Sequence, residues 1–131
     1  MRRLAEVEIE AYDVLPRALA QRVRVQRFVL LSPGSSGMTL GRLILVRNDG
    51  IRDGTRKLLA HELVHVRQYD ELGMVRFLMR YLRDYARALK KLHNHKQAYH
   101  AISFEIAAYG EAEEWQQRHQ RDRAADDPTL P

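Results

Sequence analysis

Strand-like and helix-like patterns occupy separate parts of this chain, and this separation is the feature that most constrains its fold. Alternating or β-branched runs are confined to residues 6–47. Apolar residues at three- and four-residue spacing, the period of an α-helix, fill residues 55–121. Strands that precede helices favour an α+β fold over an alternating βαβ arrangement. We therefore expect a small antiparallel sheet of about three strands packed on about three main helices.

Three segments of the first part predict strands. Residues 6–11 alternate strictly between apolar residues and glutamates, and residues 22–31 are rich in β-branched residues. Residues 38–47 form the third predicted strand, in which Gly41 indicates a bulge or a close backbone approach. The Ser-, Pro- and Gly-rich residues 32–37 predict a loop between the second and third strands.

Helices are predicted in four places. Pro16 is typical of the first turn of a short helix, here over residues 17–21. A longer helix begins near Asp53 or Thr55, either of which could cap it, and ends at Gly73. The remaining two predicted helices cover residues 74–92 and, from an Asn94–Gln97 capping box, residues 94 to about 121.

The length and composition limit the classes of protein to which the chain can belong. Its 131 residues are enough for one domain, which we expect over residues 1–123, with a polar tail at 124–131 that frays. Because the chain has no cysteine, disulfides, iron–sulfur clusters, Cys-ligated zinc and thiol catalysis are excluded.

Membrane insertion and secretion are not indicated. The longest uninterrupted apolar runs, at residues 28–31 and 43–46, are far shorter than the roughly 20 apolar residues of a membrane-spanning helix. Glutamates at positions 6, 8 and 10 interrupt the N-terminal segment before an apolar signal core could form. We therefore expect a cytoplasmic protein. The alternative is a protein secreted by a route that needs no signal peptide.

One motif indicates chemistry: His61-Glu62-Leu63-Val64-His65, an HExxH pattern within a predicted helix. Residues four apart lie on one helix face, so both imidazoles can point at a single metal ion. Glu62 is offset to the side, where it can accept a proton from water without binding the metal. Two nitrogen ligands, an adjacent base and an open position are typical of a hydrolytic zinc site. The alternative is a pair of ordinary surface histidines.

Helical phase favours Glu105 as a third ligand. It is the single carboxylate in the middle of a row of small and apolar residues on the last predicted helix. A buried carboxylate without a partner costs several kcal/mol, so Glu105 requires a proton, a cation or a metal. A buried pairing with an arginine is the alternative. The other candidate ligands by residue type are His93, His95, His100, Glu71 and the later glutamates.

These residues resemble the zincin metallopeptidases of the gluzincin type, in which a glutamate from a downstream helix, often in a Glu-x-x-Ala setting, completes the zinc site. Here Glu105-Ile106-Ala107-Ala108 follows the HExxH motif. The run Leu-Leu-Ala-His-Glu-Leu-Val-His-Val-Arg-Gln at residues 58–68 is similar to that of short bacterial gluzincin-like domains. The resemblance spans about residues 25–112. It implies a minimal zincin-like fold, Zn²⁺ on His61, His65 and Glu105, and Glu62 as general base and acid.

Three positions depart from the related patterns. Gln68 stands where metzincins have a glycine that ends the helix, and Glu71 stands where they have a third histidine. In a continuing helix Glu71 points about 120° away from His65 and cannot converge with it. Tyr109 replaces an acidic residue that supports a ligand histidine in several gluzincins, and is either a core residue or a donor to an oxyanion. The candidates for supporting the histidines are Asp49, Asp53 and a backbone carbonyl.

The resemblance also implies hydrolysis of peptide bonds. A zinc site lowers the pKa of water to about 7, and Glu62 would take the proton as that water attacks a carbonyl. In zincins an extended peptide pairs with the edge strand before the active-site helix, a position held here by residues 39–46. We therefore expect Leu43, Ile44 and Leu45 to bind a peptide or protein substrate.

Two rows of side chains mark the predicted helix over residues 74–92. The basic row comprises Arg76, Arg80, Arg83, Arg87, Lys90 and Lys91. The apolar row comprises Val75, Leu78, Met79, Leu82, Ala86 and Leu89. We expect the apolar row to pack on the core and the basic row to be solvated. The alternative is a surface for an acidic protein, nucleic acid or a peripheral membrane contact, with nucleic acid disfavoured because no nucleic-acid-binding motif is present.

The sequence thus predicts a zinc-dependent metallopeptidase. The competing hypothesis is a catalytically degenerate zincin-like binding protein, whose basic helix 74–92 contacts an acidic partner, nucleic acid or a membrane surface. A metal assay separates the two hypotheses, because the first requires zinc for activity.

Overall fold

The computed structural model of the protein describes residues 1–31 and 35–126, with side chains up to residue 122. Within these residues it has the predicted α+β architecture, with four short strands and six helices. In chain order the elements are β1 (Arg2–Arg3), α1 (Glu6–Ala11), α2 (Arg17–Ala20), β2 (Arg24–Arg27), β3 (Gly37–Leu40), β4 (Leu43–Val46), α3 (Lys57–Leu72), α4 (Met74–Leu92), α5 (His95–His100) and α6 (Ser103–Asp126).

The sheet is mixed, whereas the sequence predicted an antiparallel one. Its strand order is β1-β2-β4-β3, with β2 and β4 parallel and the other two pairs antiparallel. The single strand predicted over residues 38–47 is a hairpin, because Gly41 adopts a φ of +63° in a two-residue turn between β3 and β4. Consequently β3 lies at the edge of the sheet and β4 lies inside it.

Residues 6–11 form helix α1, so the strand predicted there is wrong. The side chain of Glu8 is fully buried, and its Oε1 accepts hydrogen bonds from the Ala5 backbone N–H (2.9 Å) and from Arg2 (2.7 Å). The bond from Ala5 caps the first turn of a helix, and both bonds satisfy a glutamate that is buried. The short helix after Pro16 is confirmed as α2.

The predicted second strand and the loop after it differ in extent from the structure. Only Arg24–Arg27 of the run over residues 22–31 is a strand, and Phe28, Val29 and Leu30 are exposed. Residues 32–34 of the predicted loop lie outside the described residues, and Gly37 already belongs to β3.

The long helices are mostly as predicted. Helix α3 ends at Gly73, whose φ is +82°, and α4 has the expected bounds. Neither Asp53 nor Thr55 caps α3, because the Thr55 hydroxyl donates to the Asp53 carboxylate and Arg56 occupies the N-cap position.

The last predicted helix is in fact two. Asn94 caps α5 by accepting from the Gln97 backbone N–H at 3.0 Å, as expected, but the chain bends at residues 101–102 before α6 begins. Residues 124–126 of the predicted tail continue α6, and residues 127–131 lie outside the described part of the chain.

Helix α3 lies between two apolar clusters, and this position buries its middle on nearly all sides. The larger cluster joins the sheet, α3 and α6 through Val25, Ile44, Leu63, Ala112 and Trp115, among other residues. The smaller cluster, between α3, α4 and the start of α6, is built on Tyr69, Phe77, Ile102 and Phe104. Among the described residues, no helix is long and apolar enough to cross a membrane.

Helix α4 packs by a face that the sequence did not indicate. Its inward residues are Phe77, which is buried, and the half-buried Tyr81 and Tyr85. Most of the apolar row is therefore exposed instead of packed on the core: Val75 is 70% exposed, Met79 66% and Leu82 62%. The residues of the basic row are exposed as well, as predicted.

Candidate metal centre

Helix α3 presents His61 and His65 on the same face, one turn apart, as the HExxH spacing predicts. Their ring centroids lie 4.8 Å apart and the ring planes are nearly perpendicular, at 83°. Each residue is only 6% exposed, because apolar residues of α3 on either side pack into the clusters described above. The two imidazoles are therefore fixed in position before any ligand binds, and they are not ordinary surface histidines.

Helix α6 brings Glu105 to these two rings. Ala108 and Ala112, one and two turns further along, are fully buried, and small residues at such positions let two helices approach closely. The Oε1 atom of Glu105 lies 3.5 Å from Nε2 of His61 and in close contact with Nε2 of His65. One ligand atom from each of the three residues lies within 4.8 Å of the other two. Among the described residues, this is the one group of histidines and carboxylates whose ligand atoms converge in this way.

The polar atoms of this cluster are not satisfied by the protein alone. Both carboxylate oxygens of Glu105 and Nδ1 of His61 are buried without a hydrogen bond of ordinary geometry from the described residues. Burial raises the pKa of Glu105, but the two imidazoles outweigh it and lower the pKa to about 2. The carboxylate is thus held ionised. A buried anion with unsatisfied oxygens beside two imidazoles matches the donor set of a divalent zinc ion.

Gln68 supports His65, a role for which the sequence had suggested Asp49, Asp53 or a backbone carbonyl. Its Oε1 lies 2.8 Å from Nδ1 of His65, and its Nε2 donates to the Phe104 carbonyl at 3.2 Å. When Nδ1 of His65 carries the hydrogen, Nε2 is free to bind a metal. Gln68 therefore links the orientation of His65 to the start of α6.

Glu62 lies beside this cluster and contacts the edge strand of the sheet. Its Oε2 accepts a hydrogen bond of 2.6 Å from the hydroxyl of Thr39 on β3. Gly37 of the same strand lies so close that an added Cβ would be 3.2 Å from Oε1 of Glu62. Burial raises the pKa of Glu62, although His65 and Thr39 counteract this effect. Glu62 is thus a buried carboxylate beside the histidines that is not itself part of the converging group.

Three tyrosines surround the Glu105 carboxylate. Burial raises the pKa values of Tyr81, Tyr99 and Tyr109, and the negative charge of Glu105 raises them further. The ring of Tyr109 packs on His61, with centroids 4.3 Å apart, yet Tyr109 remains 44% exposed. Tyr109 therefore lies at the boundary between the buried cluster and solvent, and is not a fully buried core residue.

Comparison of the chain with protein-family models, with characterised proteins and with solved structures gave no match. The geometry of the cluster and the chemistry of its residues are therefore the basis of the functional argument.

Several other candidate residues lie elsewhere. Asp49 pairs with Arg2, and Asp53 bonds with Thr55, so neither orients a histidine of the cluster. Glu71 is exposed and pairs with Arg67, as its helical phase predicts. The further candidate ligands His93, His95 and His100 are all exposed.

The predicted substrate strand requires a correction. Leu43, Ile44 and Leu45 lie on β4, whose main chain pairs with β2 on one side and β3 on the other. A substrate cannot add to a strand that is already paired on both sides. The free edge next to α3 belongs to β3, because residues 39–46 form a hairpin instead of one strand.

Sequence reasoning missed two residues of the site. Gln68 had a usable signal, since it lies three residues after His65 on the same side of a helix. Thr39 had none, because its contact with Glu62 depends on how β3 packs on α3.

Proposed function

We propose that this protein is a zinc-dependent metallopeptidase. The observation that carries the proposal is the convergence of His61, His65 and an ionised Glu105 whose carboxylate oxygens are buried without ordinary hydrogen bonds. In this proposal the three residues hold zinc, and Gln68 keeps His65 in the tautomer that can bind it.

The proposed reaction is the addition of water to a peptide carbonyl. Bound zinc would supply a Lewis acid that polarises the carbonyl and lowers the pKa of water. Glu62 takes a proton from the water as its oxygen bonds to the carbonyl carbon. Glu62 then gives this proton to the amide nitrogen as the C–N bond breaks, so that a carboxylic acid and an amine leave. Burial supports this role, because a carboxylate whose pKa is raised accepts a proton more readily than an ordinary glutamate.

Tyr109 is the proposed donor to the developing oxyanion. Its ring is fixed against His61 while part of the side chain stays in contact with solvent. A hydroxyl in this position can reach a substrate without leaving the cluster. Removal of one oxyanion donor typically lowers kcat by about 100-fold or more.

The edge of β3 is the proposed docking site for an extended peptide. The Ser36 carbonyl accepts from the Arg47 N–H, and hydrogen-bonded pairs alternate along an antiparallel ladder. The main-chain groups of Gly37 and Thr39 are therefore directed to the free edge, where a peptide can pair with them. Thr39 also holds Glu62, so the same strand would position both the peptide and the base.

Metal content and cleavage together test the proposal. Protein purified without added zinc should contain about one zinc per chain, because a catalytic zinc takes three protein ligands and the cluster supplies one set of three. It should also generate new termini in a pool of short synthetic peptides, as followed by mass spectrometry. Glu62→Gln should keep zinc and lose cleavage, and Tyr109→Phe should keep zinc with kcat lowered by about 100-fold. Glu105→Ala should bind zinc far more weakly.

Glu114→Ala is the matched control for Glu105→Ala, because it removes an exposed carboxylate from the same helix. It should leave both zinc content and cleavage unchanged. Normal zinc binding by Glu105→Ala would show that the third ligand is wrong. Full cleavage by Glu62→Gln would show that the base is wrong.

A further inference from the structure

Helix α4 presents three different faces, and among the described residues the rest of the chain packs mainly on one of them. The inward face carries Phe77, Tyr81 and Tyr85, which pack on the smaller apolar cluster. At 100° per residue, the apolar row is centred about 110° from this face on one side, and the basic row about 130° from it on the other. The basic row and most of the apolar row are exposed, so the helix has an amphipathic surface that lies largely outside the core.

The outward surface is unusually apolar for a helix that projects into water. Met79, one of the residues directly opposite the core, is 66% exposed, and its neighbours Val75 and Leu82 are 70% and 62% exposed. Scattered exposed apolar residues are ordinary, but a continuous row along one helix face is typical of a surface that meets another apolar phase. The first part of α4 therefore offers an apolar strip several turns long.

The charges beside this strip have almost entirely one sign. Four arginines and two lysines of the basic row face a single carboxylate in α4, that of Asp84. Asp84 accepts a hydrogen bond from the Ser103 hydroxyl of α6 at 2.7 Å, and its other carboxylate oxygen lies 3.8 Å from the guanidinium of Arg83. A cleft of about 360 Å³ between α4 and the start of α6 is lined by four cations and one carboxylate: Arg80, Arg83, Arg87, Lys91 and Asp84. An anionic head group would find several cations there.

We propose that α4 binds the surface of a membrane rich in anionic lipids, with the apolar row inserted between acyl chains and the basic row among the head groups. An exposed apolar row with flanking arginines and lysines is the arrangement of helices that lie in the membrane interface. The complementary charge identifies the lipid as anionic. This inference is independent of the proposed metallopeptidase activity.

Charge and shape both favour lipid over a protein partner. In a symmetric contact between two copies of α4, the basic rows would meet with almost no opposing carboxylates, which is repulsive. The convex outer surface of a helix also needs a groove in any protein that buries it, whereas a bilayer adapts to a convex surface.

Sedimentation with lipid vesicles tests the inference. The full chain is mixed with vesicles of phosphatidylcholine alone, or of phosphatidylcholine with phosphatidylglycerol, in the presence of a metal chelator so that zinc plays no part. We expect binding to the anionic vesicles, weakened by added salt, and little binding to the neutral ones. Leu82→Asn should weaken binding to the anionic vesicles by about ten-fold. The double variant Arg76→Gln/Arg83→Gln should weaken it by about five-fold for each arginine.

Matched variants control for general loss of hydrophobicity or charge. Ile106→Asn alters an apolar residue on α6 that is 58% exposed, close to the value for Leu82. Arg22→Gln/Arg121→Gln removes two exposed charges outside α4. Both should bind as the unaltered chain does, and circular dichroism should show all variants folded.

Three outcomes would overturn the inference. The first is no binding to anionic vesicles, and the second is equal weakening by the control and α4 variants. The third is concentration-dependent dimerisation that Leu82→Asn abolishes, because it would assign the apolar row to a second copy of the chain.

Discussion

The buried charged side chains of this protein differ in how they are satisfied, and this difference singles out one residue. Glu8 and Asp49 share the guanidinium of Arg2, and Glu62 accepts from the Thr39 hydroxyl. Each of these three carboxylates has a hydrogen-bonded partner of ordinary geometry. Glu105, just 1% exposed, has no hydrogen bond of ordinary geometry, although two imidazoles and the Tyr99 hydroxyl lie close enough to lower its pKa. Because an unsatisfied buried anion is unfavourable for folding, this carboxylate is the main support for the proposal that the site binds a cation.

At the same scale, Gln68 should determine how tightly His65 binds zinc. Gln68→Leu removes the acceptor at Nδ1 of His65, so both the tautomer and the orientation of the ring become less favourable for binding. We expect zinc affinity to fall by roughly 10–100-fold, the usual range for loss of such a partner. Competition with a chromophoric chelator measures this change.

Two variants make the Gln68 prediction specific. Gln68→Glu keeps an acceptor for Nδ1 and should retain most of the affinity, whereas Gln117→Leu alters an exposed glutamine of α6 and should have no effect. Unfolding in the presence of chelator reports any loss of stability separately from metal binding. Equal zinc affinity of Gln68→Leu and the unaltered chain would show that Gln68 has no part in the site.

At the scale of elements, the sequence predicted long helices well and short elements poorly. The bounds of α4 and the end of α3 at Gly73 agree with the prediction because many residues repeat the helical period there. Residues 6–11 were assigned to a strand because six residues are too few to distinguish the two periods. The helix is stabilised by the hydrogen bonds of Glu8 with Ala5 and Arg2. The pattern of apolar residues could not identify Arg2 as a partner of Glu8.

The site shows the same division between local and long-range information. The HExxH spacing fixed the relative positions of His61 and His65, and the phase of the last helix placed Glu105 on an inward face. The contact between Thr39 and Glu62 depends on the hairpin that puts β3 beside α3, and the hairpin itself was read as one strand. For this reason the prediction that a peptide pairs with Leu43, Ile44 and Leu45 is wrong: these residues lie on the inner strand β4, and the free edge belongs to β3.

Two glycines, Gly110 and Gly54, should respond in opposite ways to replacement by alanine, because their backbone conformations and surroundings differ. Gly110 lies inside α6 with open space where a Cβ would be, so Gly110→Ala should stabilise the protein by about 0.5–1 kcal/mol. Gly54 has a φ of +82°, and its added Cβ would lie 2.6 Å from Cβ of Ala11 and 3.1 Å from the Val7 carbonyl oxygen. Gly54→Ala should therefore destabilise by at least about 2 kcal/mol. Urea unfolding at neutral pH measures both, and a change of the same sign in the two variants would contradict the prediction.

At the scale of the whole molecule, Arg2 joins parts of the chain that are far apart in sequence. Its guanidinium bonds to Asp49, after the sheet, at 2.7 and 2.8 Å and to Glu8 of α1 at 2.7 and 3.1 Å. Because Glu8 is fully buried and Asp49 nearly so, removal of Arg2 takes the ion pair from Glu8 and leaves Asp49 with the longer 3.5 Å ion pair to Arg52. Arg2→Met should lower the free energy of unfolding by about 3 kcal/mol. This value is at the low end of the range for breaking a buried ion pair, because the Arg2 side chain is 15% exposed. Arg3→Met, in the same strand but exposed, is the matched control in urea unfolding and should have little effect.

The stabilisation by Arg2 should also depend on pH, in a direction that the structure determines. Burial raises the pKa of Asp49, but the hydrogen bonds and charge of Arg2 outweigh it, so the pKa in the folded protein lies below its ordinary value. A carboxylate with a depressed folded pKa contributes its full stabilisation above the unfolded pKa of about 3.9 and loses it as the pH falls through the folded value. The difference in unfolding free energy between the unaltered chain and Arg2→Met should therefore be largest near neutral pH and shrink below about pH 4. Urea unfolding of both proteins across this range measures the difference, and a gap that widens in acid would mean that the ion pair does not hold Asp49 in its charged form.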